Sequence, residues 1–219
     1  MISRLKGWRI LQPLRPTVRL FRRAKHETAR RVQRVWWQRL SGGPPIPPPH
    51  EYKVSVILNY AQRFQTPTLI ETGTYLGETV EDTRGVFEHV WSIEIDEQLH
   101  EAAARQFAAD ANVTIVRGDS AKVLPSMLAT QEGPVLFWLD GHYSGGTTSR
   151  GDSDTPILAE LEAVLARSRD DDVILIDDAR HFGTGDYPTI AKVTAVISAR
   201  RPEWQIEVRS DIIRAHRRG

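Results

Sequence analysis

Glu71-Thr72-Gly73-Thr74-Tyr75-Leu76-Gly77 is the stretch on which the reading of this chain turns. It closes a short apolar run, Thr68–Glu71, and opens a helical stretch, Thr79–Glu88. A short apolar run that ends in polar residues or glycine reads as a strand buried on both faces of a parallel sheet. Gly73 permits a tight turn from strand to helix, and Gly77 lets a ligand or a helix approach the backbone closely. N–H groups at the start of the following helix favour an anion such as a carboxylate. The stretch is not G-x-G-x-x-G. Its third glycine is missing and an acid, Glu71, stands before the turn, which argues against a nicotinamide dinucleotide.

The same pattern repeats outward. Val90–Ile95, Val113–Val116, Val135–Leu139 and Val173–Ile176 predict four more strands, with helices at Glu97–Ala109, Ala121–Thr130 and Pro156–Ser168 between them. In the last helix Thr155 can cap, Pro156 takes the first helical position, and Ile157, Leu161, Val164 and Leu165 form an apolar stripe. Val54, Ile57, Leu58 and Ala61 carry helical spacing ahead of the first strand. After a helix over Pro188–Arg200, the runs Trp204–Arg209 and Ile212–His216 are separated by Ser210-Asp211 alone and predict an antiparallel hairpin. The expected fold is α/β: a doubly wound, Rossmann-like, seven-stranded sheet ending in that hairpin.

Charge divides the chain. Residues 1–50 hold 12 Lys and Arg against one acid, Glu27, whereas the remainder holds 17 against 27. Between the two regions, Ser41-Gly42-Gly43-Pro44-Pro45-Ile46-Pro47-Pro48-Pro49 cannot be helical and reads as a semi-rigid spacer. The expected organisation is a basic helical extension over 1–43, a Pro-rich linker over 44–50 and a single α/β domain over 51–219. Within the extension, residues 17–40 read as an amphipathic helix. Val18, Phe21, Ala29, Val32, Trp36 and Leu40 fall near one face and Arg19, Arg23, Arg30 and Arg34 on another. Four roles are open to it: packing on the domain or on a second copy as a homodimer, attachment to an anionic membrane surface, nucleic-acid contact, or a transit segment. The acidic balance of residues 51–219 disfavours nucleic acid as a substrate. No cysteine is present, which excludes disulfides, thiolate metal sites and a cysteine nucleophile. No run of 18 apolar residues occurs, so a cytoplasmic protein, with peripheral membrane attachment as an option, is expected.

Ligands of open α/β sheets sit at the carboxyl ends of the strands. Glu94 ends the second strand, 21 residues after Gly73, where a carboxylate can accept both hydroxyls of a ribose. Asp96 reads more simply as the cap of the next helix. Gly118-Asp119-Ser120 follows the third strand; Asp119 either accepts from an adenine amino group or caps the helix beginning near Ala121.

In this order the motifs over residues 51–219 resemble those of the class I S-adenosylmethionine-dependent methyltransferases. The resemblance implies S-adenosylmethionine as cofactor, with Glu71, Gly73, Tyr75, Gly77, Glu94, Asp119, Ser120 and Asp140 lining its site. The fourth strand ends in Leu139-Asp140-Gly141-His142 and the fifth in Ile176-Asp177-Asp178-Ala179-Arg180-His181. Neighbouring strands would bring Asp140, Asp177 and Asp178 to one rim. Each carboxylate pair in contact there repels by roughly 4 kcal/mol at intermediate dielectric, a cost that a hard divalent cation such as Mg²⁺ relieves. This is similar to metal-dependent O-methyltransferases of the catechol type and of the macrocin type, which act on sugars. The catechol type ends its fifth strand in Asp-Asn; the Asp-Asp here is closer to the macrocin type. On that likeness Asp140, Asp177 and Asp178 are the metal ligands, and the acceptor is a hydroxyl of a sugar or another small molecule. His142, flanking Asp140, is the leading base and His181 the second. Ser144–Asp154 is either a lid or an ordinary loop; Phe182 and Tyr187 either stack on the acceptor or pack. The alternatives are a metal-free methyltransferase acting on nitrogen or carboxylate, and a non-catalytic, membrane-tethered cofactor-binding module.

Overall fold

The computed structural model describes residues 46–140 and 155–219. The basic extension, His142 and the loop over 144–154 lie outside the described residues. Helix α1 (His50–Phe64) begins directly after the Pro-rich linker, with the carbonyl of Pro49 accepting from the amides of Tyr52 and Lys53. Strands and helices then alternate: β1 (Thr68–Thr72), α2 (Glu78–Thr83), β2 (His89–Glu94), α3 (Glu97–Phe107), β3 (Val113–Arg117), α4 (Ser120–Leu128), β4 (Val135–Leu139), α5 (Ile157–Leu165) and β5 (Val173–Ile176). A 3₁₀ turn (Ala179–His181), α6 (Ile190–Arg200), β6 (Trp204–Arg209) and β7 (Ile212–Arg217) complete the order. The seven strands form one sheet, β3-β2-β1-β4-β5-β7-β6. β1 to β5 are parallel, and β7 runs antiparallel to both its neighbours. The predicted doubly wound sheet with its reversed terminal hairpin is the fold observed.

Burial explains the strand sequences. Every residue of β1, β4 and β5 is buried. Successive residues point to opposite faces, so each strand feeds two cores. Leu69, Leu136, Trp138 and Leu175 pack with Ile57, Tyr60 and Phe64 of α1 and Phe107 of α3. Ile70, Phe137, Leu139 and Ile174 pack with Leu124 of α4, Leu161 of α5 and Val193 and Ile197 of α6. A continuous apolar run, rather than an alternating one, is therefore the expected signature.

Element ends deviate for local reasons. α2 stops at Thr83, short of the predicted Glu88, because Gly85 is a poor helix former and the amides of Glu88 and His89 turn back to the carbonyl of Pro67 to begin β2. The amide of Ile157 reaches the hydroxyl of Thr155 at 3.4 Å, and α6 is capped by Thr189, whose hydroxyl accepts from Lys192 N at 3.1 Å. In the hairpin, Ser210 and Asp211 both adopt positive φ (51° and 64°), matching the twist of the two strands.

At the edge of the sheet where β4 and β5 begin, Arg167 is buried against Asp172 (Nε to Oδ2, 2.9 Å) and donates to the carbonyls of Gln131 and Gly133. Asp172 also accepts the amide of Val135 at 2.9 Å. This pair ties together the loops entering two central strands. Arg167→Met should leave the Asp172 charge buried and lower stability by about 3–5 kcal/mol, measured by denaturant unfolding. Affinity for ligands at the opposite edge should be unchanged in the folded fraction.

Candidate active site

The polar residues excluded from the doubly buried strands gather at their carboxyl ends. After β1 the chain turns through Gly73 (φ 85°), and the amides of Gly73 and Thr74 donate to the carbonyl of Ile93 at 2.9 and 3.2 Å. Gly77 has φ 74°, and a Cβ there would come within 2.8 Å of the Phe107 ring. Of the two roles predicted for Gly77, the close approach of a helix is the one seen.

Glu94 lies beside this turn, almost fully buried, with one oxygen accepting from Tyr75 N (2.8 Å) and the other from Asp96 N (2.9 Å). Each oxygen keeps a further lone pair, so the carboxylate is oriented while retaining capacity for hydroxyl donors. Asp96 caps α3, accepting from the amides of Gln98 and Leu99. Asp119 caps α4 through Ala121 N at 3.0 Å, which is the structural one of its two predicted roles. Ser120, predicted as a cofactor contact, donates its hydroxyl to Glu160 at 2.5 Å.

Two carboxyls here are fully buried. Glu71 accepts from the Ser92 hydroxyl at 2.6 Å, and Ser92 in turn meets Thr74 at 2.7 Å. Burial pushes the Glu71 carboxyl up to about 8, with the hydroxyls of Ser92 and Thr79 opposing. Burial likewise raises Glu160 to about 7, opposed by the hydroxyls of Ser120 and Thr72. Glu160 escaped the sequence reading, although its position between Ile157 and Leu161 set a carboxylate inside an apolar stripe.

Asp140, Asp177 and Asp178 do line a single cleft, together with Leu139, Phe182 and Tyr187. Asp140 is held through its amide, which donates to the Thr72 hydroxyl at 3.2 Å. Asp177 turns one oxygen back to the amide of Asp178 at 2.8 Å. Asp178 adopts φ 56°, a left-handed conformation that an acidic residue tolerates better than most. His181 sits on the 3₁₀ turn beyond the pair, with its ring 5.8 Å from that of Tyr187. The rings of Phe182 and Tyr187 meet edge to face at 5.3 Å.

These acids converge beside two cations. Lys53, from the first turn of α1, bonds directly to the second oxygen of Asp177 and lies 3.5 Å from Asp178. Arg180 bonds to Asp178 at 2.7 Å and to Asp211 in the hairpin turn. Burial acts to lower the Lys53 ammonium, but Asp177, Asp140 and Asp178 outweigh it and hold Lys53 above its ordinary value. Burial, then the charge of Asp140, pushes Asp177 up, with Lys53 opposing. Among the described residues no three acids or histidines are placed to hold a metal ion, and the Asp177 oxygen that would face one is bonded to the Lys53 ammonium. Nothing local in the sequence pointed to Lys53, which lies 124 residues from its partner.

No protein-family profile and no curated protein sequence matches the chain. Solved structures do. An O-methyltransferase from Bacillus cereus in complex with SAH matches with a TM-score of 0.58 at 16% identity, over 80% of this chain and 84% of that one. The O-methyltransferase TomG from Streptomyces achromogenes, in complex with SAM, matches at 0.54 and 17%, over 80% and 83%. The SAH-bound methyltransferase PaMTH1 from Podospora anserina matches at 0.54 and 13%, over the whole of both chains. The chain thus shares its fold with SAM-dependent methyltransferases.

The buried acids set a pH signature. A folded-state pKa above the unfolded one contributes stability that is complete below the unfolded value, near 4.5, and is lost as pH rises through about 7 for Glu160 and about 8 for Glu71. Glu71→Gln, which mimics the protonated acid, should therefore lose less stability than the wild type between pH 5 and 9. The difference should be on the order of a few kcal/mol and is read from thermal melts across that range. Parallel pH profiles of the two proteins would contradict the assignment.

Proposed function

We propose that the protein is an S-adenosylmethionine-dependent methyltransferase that methylates a hydroxyl of a small molecule, with a sugar or glycan as the preferred acceptor class. The observation that carries this reading is Glu94, a carboxylate oriented by two backbone amides beside the Gly73 turn, where a ribose diol would be gripped. The amides of the glycine turn lie beside it, and Asp119 stands at the neighbouring strand end, capping α4. The acidic cleft at the ends of β4 and β5 lies next to it, lined by Phe182 and Tyr187, whose rings suit the apolar face of a sugar. The sugar preference rests on the likeness of Asp177-Asp178 to the macrocin type.

The sulfonium supplies an electrophilic methyl carbon. As the acceptor oxygen forms its bond to that carbon, the carbon–sulfur pair returns to sulfur and leaves a neutral thioether. The hydroxyl proton passes to a histidine, with His181 of the 3₁₀ turn and His142, outside the described residues, as the two candidates, since imidazole is the usual acceptor near neutral pH. The chain's own contribution is orientation. Glu94 fixes the donor along the crevice, while the cleft at β4 and β5 fixes the acceptor, and such alignment supplies much of the acceleration of a bimolecular transfer. No step is assigned to a metal ion.

Glu94→Ala should weaken S-adenosylmethionine binding at least about tenfold by titration calorimetry, the loss of two hydrogen bonds to a charged group. Asp177→Asn should lower turnover with an accepted hydroxyl substrate far more than cofactor affinity. Unchanged affinity in the first variant would remove the ribose assignment, and unchanged turnover in the second would remove the cleft from the reaction.

A further inference from the structure

The acids at the ends of β4 and β5 present a charge problem that the fold answers with a lysine and an arginine. Three carboxylates, Asp140, Asp177 and Asp178, line one cleft. Asp177 is buried and both its oxygens are engaged, one by the amide of Asp178 and one by the Lys53 ammonium. Asp178 meets Arg180 at 2.7 Å and Lys53 at 3.5 Å. A divalent ion bound here would need carboxylate oxygens that now face an ammonium, and would stand a few ångströms from that like charge.

Lys53 is not a loose surface lysine that happens to reach inward. Its side chain is only 20% exposed, and it leaves α1 at a point secured on both sides. Tyr52 donates from its hydroxyl to Ser210 at 3.0 Å, tying α1 to the turn of the β6–β7 hairpin. His50 meets Asp82 of α2 at 3.2 Å. The hairpin turn is itself tied to the acids, because Asp211 accepts from both the amide and the guanidinium of Arg180. The first turn of α1, the hairpin turn and the end of β5 thus form one braced unit.

We propose that Lys53 is the resident cation of this site, standing where a divalent ion would otherwise sit, so that the protein works without a metal. An ammonium carries three donors. It can neutralise the acids and offer a fixed positive charge to an acceptor oxygen that gains negative charge as it is methylated. The consequence for turnover rests on the methyltransferase reading; the occupancy of the acidic nest by Lys53 does not.

The test is Mn²⁺ binding, followed by the electron paramagnetic resonance signal of the free ion, on the full-length wild type and on Lys53→Met and Lys53→Arg. The wild type and Lys53→Arg should take up no Mn²⁺ at concentrations up to about 1 mM. Lys53→Met, which removes the ammonium from the second oxygen of Asp177, should take up one ion per chain at least about tenfold more tightly. Wild-type turnover should be unchanged in EDTA and by added Mg²⁺, and Lys53→Met should lose turnover while keeping its S-adenosylmethionine affinity. One Mn²⁺ bound per wild-type chain, or turnover abolished by EDTA and restored by Mg²⁺, overturns the proposal. So does a folded Lys53→Met that binds Mn²⁺ no better than the wild type. The wild-type measurements decide the matter even if Lys53→Met does not fold. Absence of methyl transfer to every acceptor tried would count against the proposed reaction instead, and would leave the Mn²⁺ result standing.

Discussion

Burial of the central strands on both faces is the constraint from which the rest of the molecule follows. β1, β4 and β5 have no exposed residue; β4 and β5 carry only apolar side chains, and the polar residues of β1 stand toward its two ends. Polar chemistry is displaced to where the strands end and the chain turns. Glu71, Glu94, Asp140, Asp177 and Asp178 all stand at or just beyond carboxyl ends of parallel strands, so the sheet itself assembles them into one rim. Glu71 is the exception that tests the rule. It remains inside β1, and burial holds its carboxyl well above the usual range, with Ser92 and Thr79 hydroxyls as partners in place of water.

Gathering acids at one edge raises a second physical demand, compensation of their charge. The fold meets it with cations drawn from distant parts of the chain. Lys53 arrives from the helix ahead of the sheet, and Arg180 from the turn beyond β5, where the hairpin's Asp211 orients it. The opposite edge uses the same device in Arg167 and Asp172. In both places a buried charge is tolerated because its partner and its remaining hydrogen bonds are supplied together. A site built this way is pre-organised: the orientation of Glu94 by two amides and of Asp177 by an amide and an ammonium exists before any ligand arrives.

The sequence reading succeeded where the signal was local. The bounds of β4 and β5 follow from continuous apolar runs, and the hairpin turn from the two-residue gap at Ser210-Asp211. Asp96 as a cap followed from its position ahead of a helical run. For Asp119, capping and ligand contact were both open because one short side chain serves either. Ser120 was read outward, toward a ligand, because its partner Glu160 lies 40 residues on, on a different helix. Lys53 went unread for the same reason on a larger scale, so the acids were read without the ammonium that faces Asp177 and Asp178.

What the sequence by itself determined is therefore the sheet, its reversed last strand, and the set of acids at its rim. These depend on periodicity and on glycine turns, which act between residues a few positions apart. Only the tertiary structure decided what those acids face. Whether a carboxylate meets a lysine, an amide or an open crevice depends on how α1 lies across β4 and β5. That placement is set by the packing of Ile57, Tyr60 and Phe64 against strands far along the chain, and no local pattern encodes it.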